Sequence, residues 1–158
     1  MIRFAFLLVL SLVGADAALA HKALFVLRHA EKASPTDPDS PLSVTGQDRA
    51  LALARLLRNA GVTHIFVSDR KRTAQTAAPL IEAKGLTASV VAAGDTKALL
   101  DKLKALPKDA VVVVVGHSDT VPEILRGVGV KTEVVIKDDQ FGRLFLVGPD
   151  AGLVELAY

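Results

Sequence analysis

The chain has 158 residues, a length typical of one domain, and it has no cysteine, which excludes disulfides, a cysteine nucleophile and thiolate metal ligands. Its formal net charge is only +2, which is too small to indicate binding to nucleic acid or to an anionic membrane surface. Apolar residues make up 51% of the chain and aromatic residues are few, a composition that favours a core of Leu, Val and Ala.

Residues 1–20 have the parts of a secretory signal peptide: Arg3, an apolar run over residues 4–13, and the small-residue site Ala18–Leu19–Ala20. About ten apolar residues are too few for a membrane span, which needs about 20. We therefore expect cleavage after Ala20, with residues 15–17 as a second candidate site and an uncleaved anchor as the alternative. The mature chain, residues 21–158, is then expected to be one periplasmic or secreted domain without stable membrane insertion.

The first predicted strand is an apolar run over residues 23–27 that ends at Arg28 and His29. Such a run is typical of a central parallel strand with functional groups at its carboxyl end, where α/β sheets bind ligands. The polar, proline-rich residues 32–41 then predict a loop. This loop is either a wall of a site or a plain surface connection.

A helix over residues 45–60 is predicted next. Thr45 and Asp48 have capping-box spacing at its start, and Gly61 fits a glycine cap at its end. Its apolar face is predicted to consist of Ala50, Leu53, Leu56, Leu57 and Ala60.

Strands and helices alternate along the rest of the chain. The predicted elements are a strand over 63–67, a helix over 72–84 that stops at Gly85, a weak strand over 89–91, a helix over 96–106 and a strand over 111–115. A short helix begins after His117, with Thr120 and Glu123 at capping-box spacing, and a hairpin over residues 143–158 closes the chain. This order predicts an α/β three-layer sandwich with a mostly parallel central sheet, helices on both faces and a C-terminal antiparallel hairpin.

Four residues at strand and helix junctions carry the predicted chemistry: Arg28, His29, Arg72 and His117. Guanidinium groups neutralise phosphoryl oxygens, a neutral imidazole can attack phosphorus, and a second imidazole can stabilise the transition state. Each residue alone has a structural alternative, as a hydrogen-bonding histidine or a solvated arginine. Their joint occurrence favours phosphoryl chemistry, whereas His21 and His64 are assigned no role in it.

Four segments resemble the signature motifs of the histidine phosphatase superfamily, which contains the cofactor-dependent phosphoglycerate mutases. The segments are residues 27–31, 41–46, 68–77 and 116–118. Ala30 stands where the family usually has glycine, although alanine also occurs there. The resemblance covers nearly the whole of the predicted mature chain.

The resemblance implies that His29 is the nucleophile that becomes phosphorylated. It also implies that Arg28, Arg72 and His117 complete the phosphate pocket, and that no metal or other cofactor is required. We further assign Ser118, in the fourth segment, to substrate binding.

The proton donor to the leaving group is open at this point. Many family members carry a glutamate after the third motif, and the corresponding segment here offers Asp95, which equally fits an N-cap of the following helix. Glu31 and Asp119 are the other candidates. The pair His117–Ser118 argues against the acid-phosphatase and phytase branch, which has His–Asp at this motif.

The resemblance implies a phosphatase that hydrolyses a phosphomonoester or a protein-borne phosphoryl group through a phosphohistidine. The chain has no room for the cap of the larger members and resembles the short bacterial group that includes phosphohistidine phosphatases. We expect a phosphorylated small molecule or protein as the partner. One alternative is a catalytically weak phosphate-binding module of the same fold. Another is a metal-dependent hydrolase built on His29 and His117, for which no close metal-ligand spacing exists.

Overall fold

The computed structural model describes residues 21–158, so the predicted signal peptide lies outside the described residues. Strands and helices alternate through most of this range. In chain order they are β1 (Ala23–Arg28), α1 (Val44–Leu57), β2 (His64–Ser68), α2 (Lys71–Lys84), β3 (Ala88–Val91), α3 (Thr96–Lys104), β4 (Val111–Gly116), α4 (Thr120–Gly127), β5 (Arg143–Val147) and β6 (Leu153–Ala157). Within residues 21–158, none of these helices has the length and hydrophobicity needed to cross a bilayer.

The strands form one sheet in the order β3-β2-β4-β1-β5-β6. The first four strands in this order are parallel to one another. Strand β5 runs antiparallel to β1, and β6 runs antiparallel to β5 at the edge of the sheet. The predicted mostly parallel sheet with an antiparallel C-terminal hairpin is therefore confirmed.

Helices cover both faces of the sheet, as predicted. Side chains alternate along each strand, so Phe25 and Leu27 of β1 pack with α1 and α2, whereas Leu24 and Val26 pack with α3 and α4. The five valines of β4 divide in the same way between the two faces and are all buried. A strand that is covered on both sides needs such a continuous apolar run.

Helix α1 is capped by a different residue from the one predicted. Its N-cap is Ser43, whose hydroxyl accepts a hydrogen bond from the Gly46 N–H at 3.0 Å. Thr45 therefore lies inside the first turn, and the predicted capping box is wrong. Ser43 is the cap because its hydroxyl reaches the free N–H of Gly46, three residues further along the chain, which is the usual N-cap geometry.

The end of α1 also differs from the prediction. The helix stops at Leu57, and Gly61 lies beyond it in a left-handed conformation with φ of 71°. Leu56, which was predicted to face the core, is 46% exposed, because the buried stripe follows Leu53 and Leu57. The end of α2 agrees with the prediction, since Gly85 is its left-handed C-cap.

Helix α4 likewise begins with another cap. Asp119 accepts a hydrogen bond from the Thr120 N–H at 2.8 Å. The Thr120 hydroxyl instead accepts from the N–H of His117 at 2.9 Å. The predicted pairing of Thr120 with Glu123 is wrong, and Glu123 accepts a hydrogen bond from the Thr96 hydroxyl.

The close approach of α1 to the segment after β1 predicts that Gly46 cannot be replaced without loss of stability. A Cβ added to Gly46 would overlap the backbone carbonyl oxygen of Glu31, which cannot move aside as a flexible side chain could. We expect Gly46→Ala to lower the free energy of unfolding by about 2 kcal/mol, as measured by urea denaturation. The neighbouring exposed change Gln47→Ala should stay within about 0.5 kcal/mol of wild type. Equal urea midpoints for Gly46→Ala and wild type would contradict this account.

Candidate active site

Strands β1 and β4 deliver two histidines side by side. Arg28 and Gly116 are paired residues at the carboxyl ends of these neighbouring strands, and the next residues are His29 and His117. The His29 N–H also donates to the Gly116 carbonyl at 2.9 Å. As a result the two imidazole rings lie with centroids 5.3 Å apart, edge to face.

His29 is 4% exposed, and its hydrogen bonding defines its tautomer. Its Nδ1 lies 2.7 Å from the carbonyl oxygen of Ala30. A carbonyl can only accept, so Nδ1 carries the proton and Nε2 holds a free lone pair. Burial, helped by the nearby His117, Arg72 and Arg28 and opposed by the hydrogen bond to the Ala30 carbonyl, lowers the pKa of His29 to about 3. At neutral pH the ring is therefore neutral, as a nucleophile requires.

Arg28 is held in place by the segment between α4 and β5. Its Nη1 donates to the carbonyl oxygens of Lys137 and Asp138 at 2.9 and 3.0 Å. The ring of Phe141 stacks on the guanidinium, with 4.1 Å between the guanidinium carbon and the ring centroid. Sequence reasoning missed these contacts, because they join residues about 110 positions apart and in two of them the acceptor is a backbone carbonyl.

Arg72 contacts His117 from the β2 side of strand β4, opposite to the side on which β1 lies. It lies in the first turn of α2, and its Nη1 donates to the Pro38 carbonyl at 2.9 Å while its Nη2 donates to His117 Nδ1 at 3.3 Å. Pro38 belongs to the proline-rich loop, which is also tied to α2 because the Lys71 N–H donates to Asp39 at 3.0 Å. Of the two predicted alternatives for this loop, the geometry favours a wall of the site.

Two arginine donors in this site lack a partner. The Nε atoms of Arg28 and Arg72 are buried and have no hydrogen-bond acceptor within residues 21–158. A buried, charged donor without an acceptor is costly to the folded state. The charge of Arg72 acts on Arg28, and both charges act on His29. The two unpartnered donors therefore fit an anion-binding site next to His29.

His117 forms hydrogen bonds through both ring nitrogens. Its Nε2 lies 2.9 Å from the Ser68 hydroxyl, and its Nδ1 accepts from Arg72. Burial lowers the pKa of His117 to about 4, and the charge of Arg72 contributes. Ser68 ends β2 and is a further site residue for which sequence reasoning assigned no role.

Ala30 shows how alanine is accommodated at the position where the resemblance suggested glycine. Its side chain is fully buried in a small apolar cluster with Leu42 and Ala50. Its N–H donates to the Thr76 hydroxyl at 2.9 Å, and that hydroxyl donates to the Arg72 carbonyl at 2.7 Å. Thr76 thereby connects the segment that holds His29 to the helix that carries Arg72.

Glu31 is a poor proton donor in this structure. Its two carboxylate oxygens accept from Arg49, with both Nε distances at 2.9 Å and an Nη2 distance of 2.6 Å. Burial opposes ionisation of Glu31, but the hydrogen bonds from Arg49 outweigh it and hold the pKa below its usual range. A carboxyl group stabilised as an anion in this way does not readily release a proton at neutral pH.

The other two carboxyl candidates are both helix caps. Asp95 Oδ1 accepts from the Ala98 N–H at 2.9 Å at the start of α3, and Asp95 lines the same cavity as His117. Asp119 caps α4, is exposed to solvent, and its charge acts on Arg28, Arg72 and His117 together.

Ser118 lines a neighbouring open cleft between the start of α4 and residues 131–136. Within residues 21–158, no group of three or more His, Cys, Asp or Glu side chains is arranged to hold a metal ion.

Comparison with known proteins finds a family model that matches the first half of the described chain. Residues 24–93 match the family model described as the histidine phosphatase superfamily, branch 1. A relative from Yersinia enterocolitica, named as a phosphoglycerate mutase, GpmB, is 38% identical over 69 residues. That match covers 40% of this chain and 32% of the relative, so the chain spans about a third of the length of this curated protein.

Solved structures extend the similarity to most of the chain. SixA from Agrobacterium tumefaciens, named as a phosphohistidine phosphatase, has a TM-score of 0.66 at 21% identity, covering 87% of this chain and 99% of SixA. A protein histidine phosphatase SixA in complex with tungstate has a TM-score of 0.67 at 19% identity, covering 85% of this chain and 96% of that one. At these identities the comparison establishes a shared fold.

The buried neutral histidines predict that the protein loses stability as the pH falls below about 6.5. Folding lowers the pKa of His29 to about 3 and that of His117 to about 4. Between these values and 6.5, protons bind the unfolded chain first and stabilise it. His29→Gln should therefore show a smaller fall in the free energy of unfolding between about pH 7.5 and pH 5 than wild type does, measured by urea denaturation. The same pH slope in both proteins would count against the buried neutral state.

Proposed function

We propose that this chain is a member of the histidine phosphatase superfamily and a phosphatase that hydrolyses a phosphorylated substrate through a phosphohistidine intermediate on His29. The observation that carries the proposal is the pair of unpartnered, buried Nε donors of Arg28 and Arg72 beside an unprotonated imidazole. A phosphoryl group satisfies these donors and offers its phosphorus atom to the nucleophile. The tungstate complex of the similarly folded SixA, which holds a tetrahedral oxyanion, supports this interpretation.

In the first step the lone pair of His29 Nε2 attacks phosphorus, and the bond from phosphorus to the leaving group breaks. The imidazole becomes cationic as the N–P bond forms. Its Nδ1–H donates to the Ala30 carbonyl at 2.7 Å, and this hydrogen bond stabilises the new positive charge. Arg28, Arg72 and His117 neutralise the charge on the non-bridging oxygens.

In the second step water attacks the phosphorus of phospho-His29. The N–P bond breaks, its electron pair returns to Nε2, and inorganic phosphate leaves. The leaving group of the first step takes up a proton from a carboxyl group, and the resulting carboxylate then accepts a proton from the attacking water. Asp119 and Asp95 are the candidates, and we favour Asp119 because its charge acts on Arg28, Arg72 and His117.

The substrate class follows from the chemistry and the names of the similar proteins. SixA is named as a phosphohistidine phosphatase, which supports a protein-borne phosphoryl group, and the GpmB relative supports a small phosphomonoester. Ser118 directly follows His117 in the chain and is assigned to substrate binding. Residues 1–20 favour a periplasmic or secreted location, so we infer that the substrate is encountered outside the cytoplasm.

A phosphate-binding module with weak catalysis is the second candidate function. Its specific support is that the carboxylates of Asp95 and Asp119 are both engaged as helix caps, where they accept hydrogen bonds from the Ala98 and Thr120 N–H groups. The two candidates share the anion site and differ in turnover.

The phosphohistidine mechanism predicts that activity depends on His29 and survives chelation. Protein that begins at His21 should hydrolyse an aryl phosphate with EDTA present, and His29→Ala should lower the rate by more than about 10³-fold. His64→Ala is the matched control, since this histidine begins β2 at the opposite end of the sheet, and it should retain the wild-type rate. Labelled phosphate trapped on wild type and absent from His29→Ala identifies the intermediate.

Other outcomes of this assay have definite meanings. Activity that EDTA abolishes would overturn the mechanism in favour of a metal-dependent hydrolase. A protein that is inactive at every pH, but whose melting temperature rises with added phosphate, would support the binding module instead.

The assignment of Asp119 predicts a dependence on the leaving group. Asparagine caps helices as well as aspartate does, so Asp119→Asn and Asp95→Asn should both fold. An alkyl phosphate needs a protonated leaving group, and we expect Asp119→Asn to lower its rate by about 10²-fold or more. The rate for an aryl phosphate with a good leaving group should change much less. The same selective loss in Asp95→Asn, with Asp119→Asn unaffected, would transfer the role to Asp95.

A further inference from the structure

We propose that Ser68 and Thr73 are positioning residues that set the tautomer of His117, so that each dianion bound at the site brings one proton onto His117. The proposal rests on the proposed function only in using the same anion site. Neither hydroxyl is needed to contact the substrate. Both act through the imidazole.

The contacts of His117 determine where its proton lies. The guanidinium of Arg72 can only donate, so its hydrogen bond to Nδ1 requires a lone pair on that nitrogen. A neutral imidazole carries one N–H, so the proton lies on Nε2. It is donated to the Ser68 hydroxyl oxygen, which is 2.9 Å away.

The surroundings of Ser68 favour this same direction. Thr73 is fully buried, and its hydroxyl donates to the backbone carbonyl of Arg70 at 2.9 Å or of Ser68 at 3.1 Å. Thr73 therefore accepts the hydrogen of the Ser68 hydroxyl, over a distance of 3.0 Å. Ser68 Oγ is left as an acceptor, and it accepts from the Arg70 N–H at 3.2 Å as well as from His117.

This tautomer creates a conflict when a phosphoryl group arrives. The Nδ1 lone pair of His117 faces Arg72, one of the two guanidinium groups of the proposed anion site, and phosphoryl oxygens are also acceptors. Two lone pairs repel each other, so His117 can contribute only after Nδ1 gains a proton. Moving the existing proton from Nε2 is disfavoured, because it would leave the Ser68 oxygen without that donor.

Charged groups around His117 keep it neutral until the anion binds. His29, which follows β1, faces His117. Four charged side chains also act on His117: Asp69 just after β2, Arg70 and Arg72 at the start of α2, and Asp119 at the start of α4. Burial and the arginines lower the pKa of His117, and the two aspartates oppose them. A bound dianion adds two negative charges next to the ring and reverses this balance, because an opposite charge favours the protonated form.

Calorimetric titration with sulfate tests the coupling. Sulfate remains a dianion across the neutral range, so any proton taken up belongs to the protein. Titrations near pH 6 in buffers of different ionisation enthalpy report the number of protons bound per sulfate. Wild type should take up most of one proton, and its sulfate affinity should fall several-fold for each unit that the pH rises towards 8. His117→Gln should bind sulfate without uptake, whereas His29→Gln should retain the uptake.

Variants of the two hydroxyl residues separate positioning from a merely structural role. In Ser68→Ala the proton of His117 is free to move to Nδ1, so sulfate should bind with uptake close to zero and with an affinity that hardly changes with pH. Ser68→Thr keeps the hydroxyl and should restore the uptake. Thr73→Val, which is a second route if Ser68→Ala does not fold, lets Ser68 donate to Nε2 and should also lower the uptake. A structural role alone would weaken binding and leave the number of protons unchanged.

Each result supports or overturns the proposal. Negligible uptake by wild type, or equal uptake by wild type and Ser68→Ala, would overturn it. Failure of wild type to bind sulfate would remove the anion site, and with it both this proposal and the proposed function. Proton-coupled sulfate binding by a protein that hydrolyses no phosphorylated substrate would refute the phosphatase activity alone.

Discussion

The parallel pairing of β1 with β4 is the constraint on which the candidate site depends. The register that pairs Arg28 with Gly116 places His29 and His117 one residue beyond the ends of the two strands. A shift of one residue would turn each side chain to the opposite face of the sheet, so the two imidazoles could not meet. The register is held by the apolar layers on both faces. The same side chains that stabilise the core therefore set the distance between the groups that carry the chemistry.

The site concentrates groups that would each be more stable in water. The guanidinium groups of Arg28 and Arg72 act on the imidazole of His29, and Arg72 also acts on that of His117. Burial contributes most to lowering the pKa of these two histidines, to about 3 and about 4. The surrounding backbone reduces the cost by directing carbonyl oxygens at the arginines, from Lys137 and Asp138 to Arg28 and from Pro38 to Arg72. Among the described residues, the Nε donors of Arg28 and Arg72 are left without an acceptor, and the proposed oxyanion would supply one. An anion that binds at this candidate site would therefore also stabilise the folded protein.

The sequence predicted the parts of this structure that depend on local pattern. The runs of apolar residues predicted the strands, and the charged residues after Leu27 and Val115 predicted the edge where the site lies. Helix starts were predicted less well, because several hydroxyls or carboxyls within a few residues can cap the same turn. Ser43 rather than Thr45 caps α1, and only the three-dimensional path of the chain decides between them. The contacts of Phe141 and Lys137 with Arg28 leave no local signal at all.

The hydrogen bonds and the ring contact that residues 137–141 make with Arg28 affect the order in which the site forms during folding. Arg28 is among the first residues of the described chain, and its clamp comes from the segment just before β5, so the contact spans more than a hundred positions. Contacts of such separation close late, because they carry the largest loop entropy. The family match over residues 24–93 contains His29, the proposed nucleophile, but contains neither the residues that hold Arg28 nor His117. Strand β1 itself pairs only with β4 and β5, so a chain emerging from the ribosome would carry His29 long before β1 had a partner strand or the candidate site was complete.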